Sequence, residues 1–350
     1  MIQNDKFPSN YNIDKSIKII YNVKSDKNLG GKKVAKNDFT TMLSSGYKKS
    51  MRRNKGNKKA QVLITILFLI IGAFGYLFGG DFLESSNSSG NGKEVNGKAE
   101  IHYLDVGQGD SIYLKINDKD ILIDAGPKSD SDKLIAQLKN LGIDDLEMVI
   151  ATHPHEDHIG GMVSVFKEYK VKSFYMTDKA HTTKTFTNML EAVKKQGLKH
   201  NILKSGEVID LGDGAKFDVF SPINKDYEEL NDYSPIMKLT YGNSTFMFTG
   251  DAEVLSEKEV LNKFKASDLK SDVLKVGHHG STTSTSDEFL KAVNPKFAII
   301  SLGKDNSYGH PHKEIVNKLD SNKIKTYRTD ISGQITIITD GQNINISTAK

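Results

Sequence analysis

Ala151-Thr152-His153-Pro154-His155-Glu156-Asp157-His158-Ile159-Gly160-Gly161 gathers three histidines and an aspartate into six consecutive positions. Histidines two apart point the same way from an extended backbone, so His153 and His155 can grip one cation. Asp157 and His158 follow where the chain turns into a helix, and can face a second cation nearby. Neutral imidazole together with carboxylate suits zinc, manganese or iron. The apolar run Met148-Val149-Ile150 delivers these residues from a buried strand. A solvated surface turn is the plainer alternative, but such a turn has no reason to collect this donor set directly after a strand of that kind.

Other apolar strands end in similar residues. Asp124 ends one, Gly250-Asp251 ends Phe246-Met247-Phe248-Thr249, and Gly277-His278-His279-Gly280-Ser281 ends Val273-Leu274-Lys275-Val276. Strand ends gather along one rim of a sheet, so these clusters are expected to converge, with Asp251 as a single carboxylate able to bridge two cations. The alternating pattern predicts strands over 100–106, 110–116, 120–124, 147–152, 171–176, 208–211, 217–220, 272–276, 297–302, 335–338 and 344–346. It predicts a hairpin of 235–241 with 244–249 around Gly242-Asn243, and helices over 131–141, 186–195, 254–264, 288–293 and 313–319. This is an α/β chain whose sheets are covered by helices. The absence of cysteine excludes disulfides, thiolate metal ligands, a cysteine nucleophile and a lipidated cysteine anchor.

His153-x-His155-x-Asp157-His158 with the later Asp251 and His278-His279 resembles the metallo-β-lactamase superfamily. Leu104-Asp105-Val106-Gly107-Gln108-Gly109-Asp110-Ser111, Phe248-Thr249-Gly250-Asp251-Ala252-Glu253, Gly277-His278-His279-Gly280-Ser281 and Tyr308-Gly309-His310-Pro311-His312 narrow the likeness. Together they resemble the C-terminal hydrolase domain of the ComEC-type DNA-uptake proteins and its stand-alone relatives. The resemblance covers residue 98 to the C-terminus and implies an αββα sandwich with its metal site on one edge between the sheets. It implies two divalent metal ions, zinc or manganese: His153 and His155 hold the first, Asp157, His158 and one of His278 and His279 hold the second, and Asp251 bridges them. Asp124 matches an acidic motif that supports the metal-binding loops. Metallo-β-lactamases proper place another histidine ahead of the strand leading to the bridging aspartate. Here that position reads Asn231-Asp232-Tyr233-Ser234-Pro235, which leaves water or Asn231 to complete the first site.

Two cations roughly 3.5–4 Å apart share a hydroxide, lower the pKa of its parent water and stabilise entering and leaving oxygens. Asp157 and His310 are expected to carry catalysis, with Ser281, His310 and Asn231 as contacts to substrate and His310 as the group that protonates the leaving oxygen. Asp105, Gln108 and Asp110 read as turn-shaping residues, and His102, His181 and His200 as ordinary histidines. The expected activity is phosphoester hydrolysis, by a nuclease first and by a phosphorylcholine esterase of surface polymers second. A non-catalytic metal-binding module, or an anchor whose tail recruits partners, is the alternative from another class. Degenerate relatives lose the paired histidines or the bridging aspartate, and this chain keeps both. The polytopic channel of the larger relatives has no counterpart here, so hydrolysis is expected rather than transport.

Charge divides the 350 residues unevenly: 1–60 carry 15 Lys/Arg against 4 Asp/Glu, and 61–350 carry 33 against 40. The sequence pI of 8.7 therefore describes the tail. Residues 1–59 read as a disordered basic tail, and Lys48 to Lys59 alone hold seven basic residues and no acid. Ala60 to Gly80 has no charge in 21 residues, enough to span a bilayer as one helix, with the basic side cytoplasmic and the following domain outside the cytoplasm. Met51-Arg52-Arg53-Asn54-Lys55 resembles the start of a signal sequence, which makes Met51 or Met42 an alternative translation start. No small-residue cleavage site follows, so the segment is expected to remain as an anchor. Residues 81–97, rich in Ser, Asn and Gly, read as a flexible tether to a folded domain over 98–350.

Overall fold

The computed structural model describes residues 97–350. The expected basic tail, the membrane helix over 60–80 and all but the last residue of the tether lie outside the described residues. Among the described residues no helix is long and apolar enough to cross a membrane.

Among the described residues fifteen strands form two sheets: β1 (Ala99–Tyr103), β2 (Ile112–Ile116), β3 (Lys119–Ile123), β4 (Asp145–Ala151), β5 (Lys170–Met176), β6 (His200–Ile202), β7 (Val208–Gly212), β8 (Ala215–Val219), β9 (Met237–Tyr241), β10 (Ser244–Phe248), β11 (Val273–Lys275), β12 (Phe297–Ile300), β13 (Lys325–Arg328), β14 (Ile335–Thr339) and β15 (Ile344–Thr348). The first sheet runs β15-β14-β1-β2-β3-β4-β5-β6 and the second β13-β12-β11-β10-β9-β8-β7. The α-helices among the described residues are α1 (Ser131–Asn140), α2 (Glu156–Ile159), α3 (Met162–Glu168), α4 (Lys184–Lys195), α5 (Val254–Lys263), α6 (Ala266–Leu269), α7 (Asp287–Val293), α8 (Lys313–Ser321) and α9 (Thr329–Ser332).

The two-residue period of the strands decides the layering. Ile121, Ile123, Met148 and Ile150 of the first sheet share a core with Phe217, Leu239, Phe246, Phe248, Val273 and Ile299 of the second. The intervening Leu122 and Val149 face the other way and pack with Leu134, Leu138, Val165, Met189 and Val193 of α1, α3 and α4. Met247, Leu274, Ala298 and Ile300 likewise pack against Val260, Phe289 and Leu319 of α5, α7 and α8. The result is the expected αββα sandwich. β3, β4 and β5 pair in parallel, as do β10, β11, β12 and β13, so the C-terminal ends of these strands share a rim. At the other end of β10 the sheets are joined directly. Ser244 and Thr339 bring their hydroxyls to 2.6 Å, and the Asn243 N–H donates to the Gly341 carbonyl at 2.7 Å.

The differences from the expected elements have local causes. β2 begins at Ile112 because Asp110 leaves the sheet edge for an ion pair with Lys275. β3 stops at Ile123 because Asp124 takes a left-handed backbone, φ +58°. β6 and β13 were not anticipated: they are short, polar edge strands with little apolar alternation to reveal them.

Candidate metal centre

β4 delivers the first donors and Asp124 holds their frame. The Asp124 carboxylate is fully buried. Oδ1 accepts the Thr152 N–H at 2.9 Å, while Oδ2 accepts the Thr152 hydroxyl at 2.7 Å and faces His158 Nδ1 at 2.8 Å. One carboxylate thus fixes both the strand end and the ring of His158, leaving His158 Nε2 to point inward. A carboxylate behind an imidazole is the usual way to set a ligating tautomer.

Asp251 comes from the opposite sheet. Gly250, at φ +49°, turns the chain out of β10, and the Asp251 N–H donates to Ser234 Oγ at 3.1 Å. Asp251 Oδ2 then lies 3.2 Å from His158 Nε2, 3.4 Å from His279 Nε2, and 3.8 Å from both His153 Nε2 and His278 Nε2. His278 and His279 both adopt left-handed backbones. That conformation is uncommon outside glycine and sends the two rings to different places. His279 is buried, its Nδ1 at 2.9 Å from the Ser301 carbonyl and its Nε2 at 3.3 Å from Asp157 Oδ2. His278 keeps 24% of its side chain exposed and sets Nδ1 at 3.1 Å from Glu253 Oε1.

Asp157, His158, Asp251 and His279 therefore bring four donor atoms within 4.8 Å of one another. His158 Nε2, His279 Nε2 and Asp251 Oδ1 are buried with no hydrogen-bond partner. Buried polar atoms are almost always paired, and the bare Nε2 atoms of His158 and His279, both facing Asp251 Oδ2, fit a cation site. Beside this quartet, His153 Nε2 and His155 Nδ1 stand 2.9 Å apart. His278 stands outside the quartet. Asn231 sits between His278 and Glu253, donating to Glu253 Oε1 at 3.1 Å, while its own Oδ1 is buried and unpartnered. The carboxylate thus orients the amide with its oxygen turned away from Glu253. Ser281 is buried and engages Thr283 Oγ1 at 3.0 Å. His310 is half-buried, its ring 5.5 Å from that of His278 and 6.3 Å from that of His279.

The electrostatics follow from this crowding. Burial opposes charge on Asp251 and Asp157, but His158 and His279 outweigh it and hold both carboxyls well below the usual range. Burial likewise opposes charge on His279, yet Asp251, Asp157 and Asp110 push it up to about 10. His158 is raised well above its ordinary value for the same reason, by Asp251, Asp157 and Asp124. His153 and His155 are lowered, first by burial, and stay neutral. Burial and the imidazoles of His279, His278 and His312 bring His310 down to about 4.

Several supporting residues were not foreseen from the sequence. Lys275 lies on the same face of β11 as Val273, inside the sandwich, and its Nζ meets Asp110 Oδ2 at 2.8 Å and the Val276 carbonyl at 2.9 Å. Asp110 Oδ1, otherwise unpartnered, stands 3.6 Å from His279 Nδ1. Asp110 was read as turn-shaping, and its burial in an ion pair beside His279 corrects that. A lysine within Val273-Leu274-Lys275-Val276 looks solvent-facing unless the phase of the strand is known. Gly109, at φ +145°, lets this loop reach the donor loop: a Cβ there would stand 2.1 Å from the Asp157 carbonyl oxygen. Asp232 Oδ1 accepts the N–H groups of Glu253 and Ser256, each at 3.2 Å, and so caps α5 directly behind Asp251.

The family model of the metallo-beta-lactamase superfamily matches residues 104–304. The chain is 35% identical over 259 residues to ComE operon protein 3 of Bacillus subtilis, covering 69% of this chain and 33% of that protein. It is 28% identical over 239 residues to competence protein ComA of Neisseria gonorrhoeae, covering 68% of this chain and 32% of that protein. The chain thus spans about a third of the length of these relatives. Among solved structures, the metallo-beta-lactamase fold protein YhfI of Bacillus subtilis aligns with a TM-score of 0.46 at 12% identity, covering 69% of this chain and all of that one. With the matched region containing every donor from His153 to His279, the chain belongs to the metallo-beta-lactamase superfamily, as a ComEC-like, metal-dependent hydrolase.

Proposed function

We propose that the protein is a membrane-anchored phosphodiesterase with its hydrolase domain outside the cytoplasm, and that DNA is its substrate. The observation that carries the hydrolytic site is the convergence of the bare, buried His158 Nε2 and His279 Nε2 on Asp251 Oδ2, with Asp157 completing the donor group. In this reading His153 and His155 hold one divalent ion, Asp157, His158 and His279 hold another, and Asp251 serves both. Zinc and manganese both suit this nitrogen and oxygen set. Such ions supply an activated water and neutralise charge on a phosphoryl group.

The protein residues have separate tasks. Asp124 holds the His158 tautomer, and the Ser301 carbonyl holds that of His279. Asn231, its amide nitrogen fixed by Glu253 and its oxygen without a partner, stands where metallo-β-lactamases proper place a histidine and would complete the His153–His155 site. His310 is neutral near pH 7, which suits hydrogen-bond donation to a phosphoryl or leaving oxygen better than delivery of a whole proton. The uncharged stretch over 60–80 supports the anchor, and the similarity to a competence protein supports DNA.

A second reading is a phosphorylcholine esterase. Glu253 places a carboxylate beside His278 at the rim, which suits the cationic choline headgroup carried on the phosphoryl group, and residues 61–350 carry more acid than base. The full-length chain loaded with Mn²⁺ or Zn²⁺ is to be assayed on single-stranded DNA, bis-p-nitrophenyl phosphate and p-nitrophenyl phosphorylcholine. DNA cleavage is expected. Turnover of the choline ester alone supports the second reading, and bound metal with no turnover on any phosphoester refutes both.

A further inference from the structure

We propose that Tyr308 is a stacking platform for a nucleobase next to the scissile phosphate, an inference that rests on the phosphodiesterase reading above. Tyr308 lies in the loop between β12 and α8 and is 65% exposed. Among the described residues it is the one aromatic in the set of exposed large apolar side chains, the others being Val208, Leu255 and Ile331. Its ring lies nearly parallel to that of His310, 5.7 Å away at 21°. The His310 ring is tilted 31° from that of His279 at 6.3 Å. Buried donor, half-buried ring and exposed ring thus form a row leading from the centre to solvent.

The loop that presents Tyr308 is held on both sides. The Asn306 side chain donates to the Gly303 carbonyl at 3.0 Å and the His310 carbonyl at 2.7 Å, and accepts the His310 N–H at 3.0 Å. The Gly303 N–H donates to Gln108 Oε1 at 3.1 Å, and the Thr282 N–H donates to His312 Nδ1 at 3.0 Å. An aromatic ring on a fixed backbone loses little freedom when it binds. Single-stranded nucleic acid is gripped through this kind of ring, because every base offers a π-face. A quaternary ammonium prefers a cage of several aromatic faces. Tyr308 offers one outward face, with His310 on the other side, which favours a base.

The test compares the full-length chain with its Tyr308→Ala and Tyr308→Phe variants in Mn²⁺, on a single-stranded oligonucleotide and on the same strand with one abasic position beside the cleaved bond. The chain contains no tryptophan, so binding of a trinucleotide carrying 2-aminopurine is read from that base's own emission. Tyr308→Ala is expected to lower kcat/KM on the intact strand about 5- to 150-fold, mainly through KM, while Tyr308→Phe stays within about 2-fold. Removing the base and removing the ring are expected to be non-additive, and stacking should quench 2-aminopurine with the parent chain and Tyr308→Phe but not with Tyr308→Ala. Full turnover and quenching in Tyr308→Ala would overturn the platform and leave the phosphodiesterase reading standing. A metal-loaded parent chain that cleaves no DNA overturns both. A Tyr308→Ala variant that loses choline-ester hydrolysis but not DNA cleavage overturns the base assignment in favour of a cationic headgroup.

Discussion

Replacing Lys275 by methionine should unfold the sandwich far more readily than a surface lysine change would. The Lys275 side chain is fully buried and that of Asp110 is 2% exposed, so removing the ammonium leaves a carboxylate inside the core. Asp110 Oδ1 already has no hydrogen-bond partner, so little remains to compensate. Breaking one side of a buried pair destabilises by about 3–5 kcal/mol. For a domain of this size, each kcal/mol shifts Tm by about 2–4 °C, so a fall of about 6–20 °C is expected. Converting both partners, Lys275→Met with Asp110→Leu, removes the stranded charge, and such exchanges are often neutral or better. The double variant should therefore recover most of the loss, a coupling of about 2 kcal/mol or more, when urea unfolding midpoints of the four forms are compared. A Lys275→Met loss under about 1 kcal/mol, or a double variant whose loss equals the sum of the singles, refutes the buried pair as a cross-sheet tie.

Two further outcomes follow from the donor set. Asp251→Ala is expected to lower hydrolysis by more than about 100-fold and to reduce bound metal, with circular dichroism unchanged; full activity would remove Asp251 from the centre. Without metal, a raised imidazole such as His279 stabilises the fold below its unfolded pKa of about 6.5 and ceases to do so as pH climbs through about 10. A cation needs the same Nε2 bare, so the thermal shift produced by Mn²⁺ should grow between about pH 6.5 and pH 9. A shift that shrinks across that range contradicts the assignment of these rings as ligands.

The donor clusters were legible because each stands at the end of an apolar strand, and parallel strands ending together bring them to one rim. The choice between His278 and His279 was not legible. Both lie past β11 with left-handed backbones, so strand phase says nothing about their rings, and the Ser301 carbonyl that fixes His279 is remote in sequence. Asp124 could be recognised as support, but its partners Thr152 and His158 emerge only from β3–β4 pairing. Lys275 was hidden for a related reason. In a strand of three residues, one lysine is read by its type rather than by its phase, and its partner lies in the loop before β2. The edge strands β6 and β13 carried too little apolar pattern to be found.

The two ends of β10 close the sandwich by different chemistry. At one end the sheets are buttoned by hydrogen bonds between Ser244 and Thr339 and from Asn243 to Gly341. At Asp251 the seam is lined by donors from both sheets, several of them bare. The ions that would fill this end would add a second cross-sheet tie beside the Lys275–Asp110 pair. Chelation should accordingly loosen the mouth while the far end stays shut, coupling metal supply to the shape of the cleft that receives substrate.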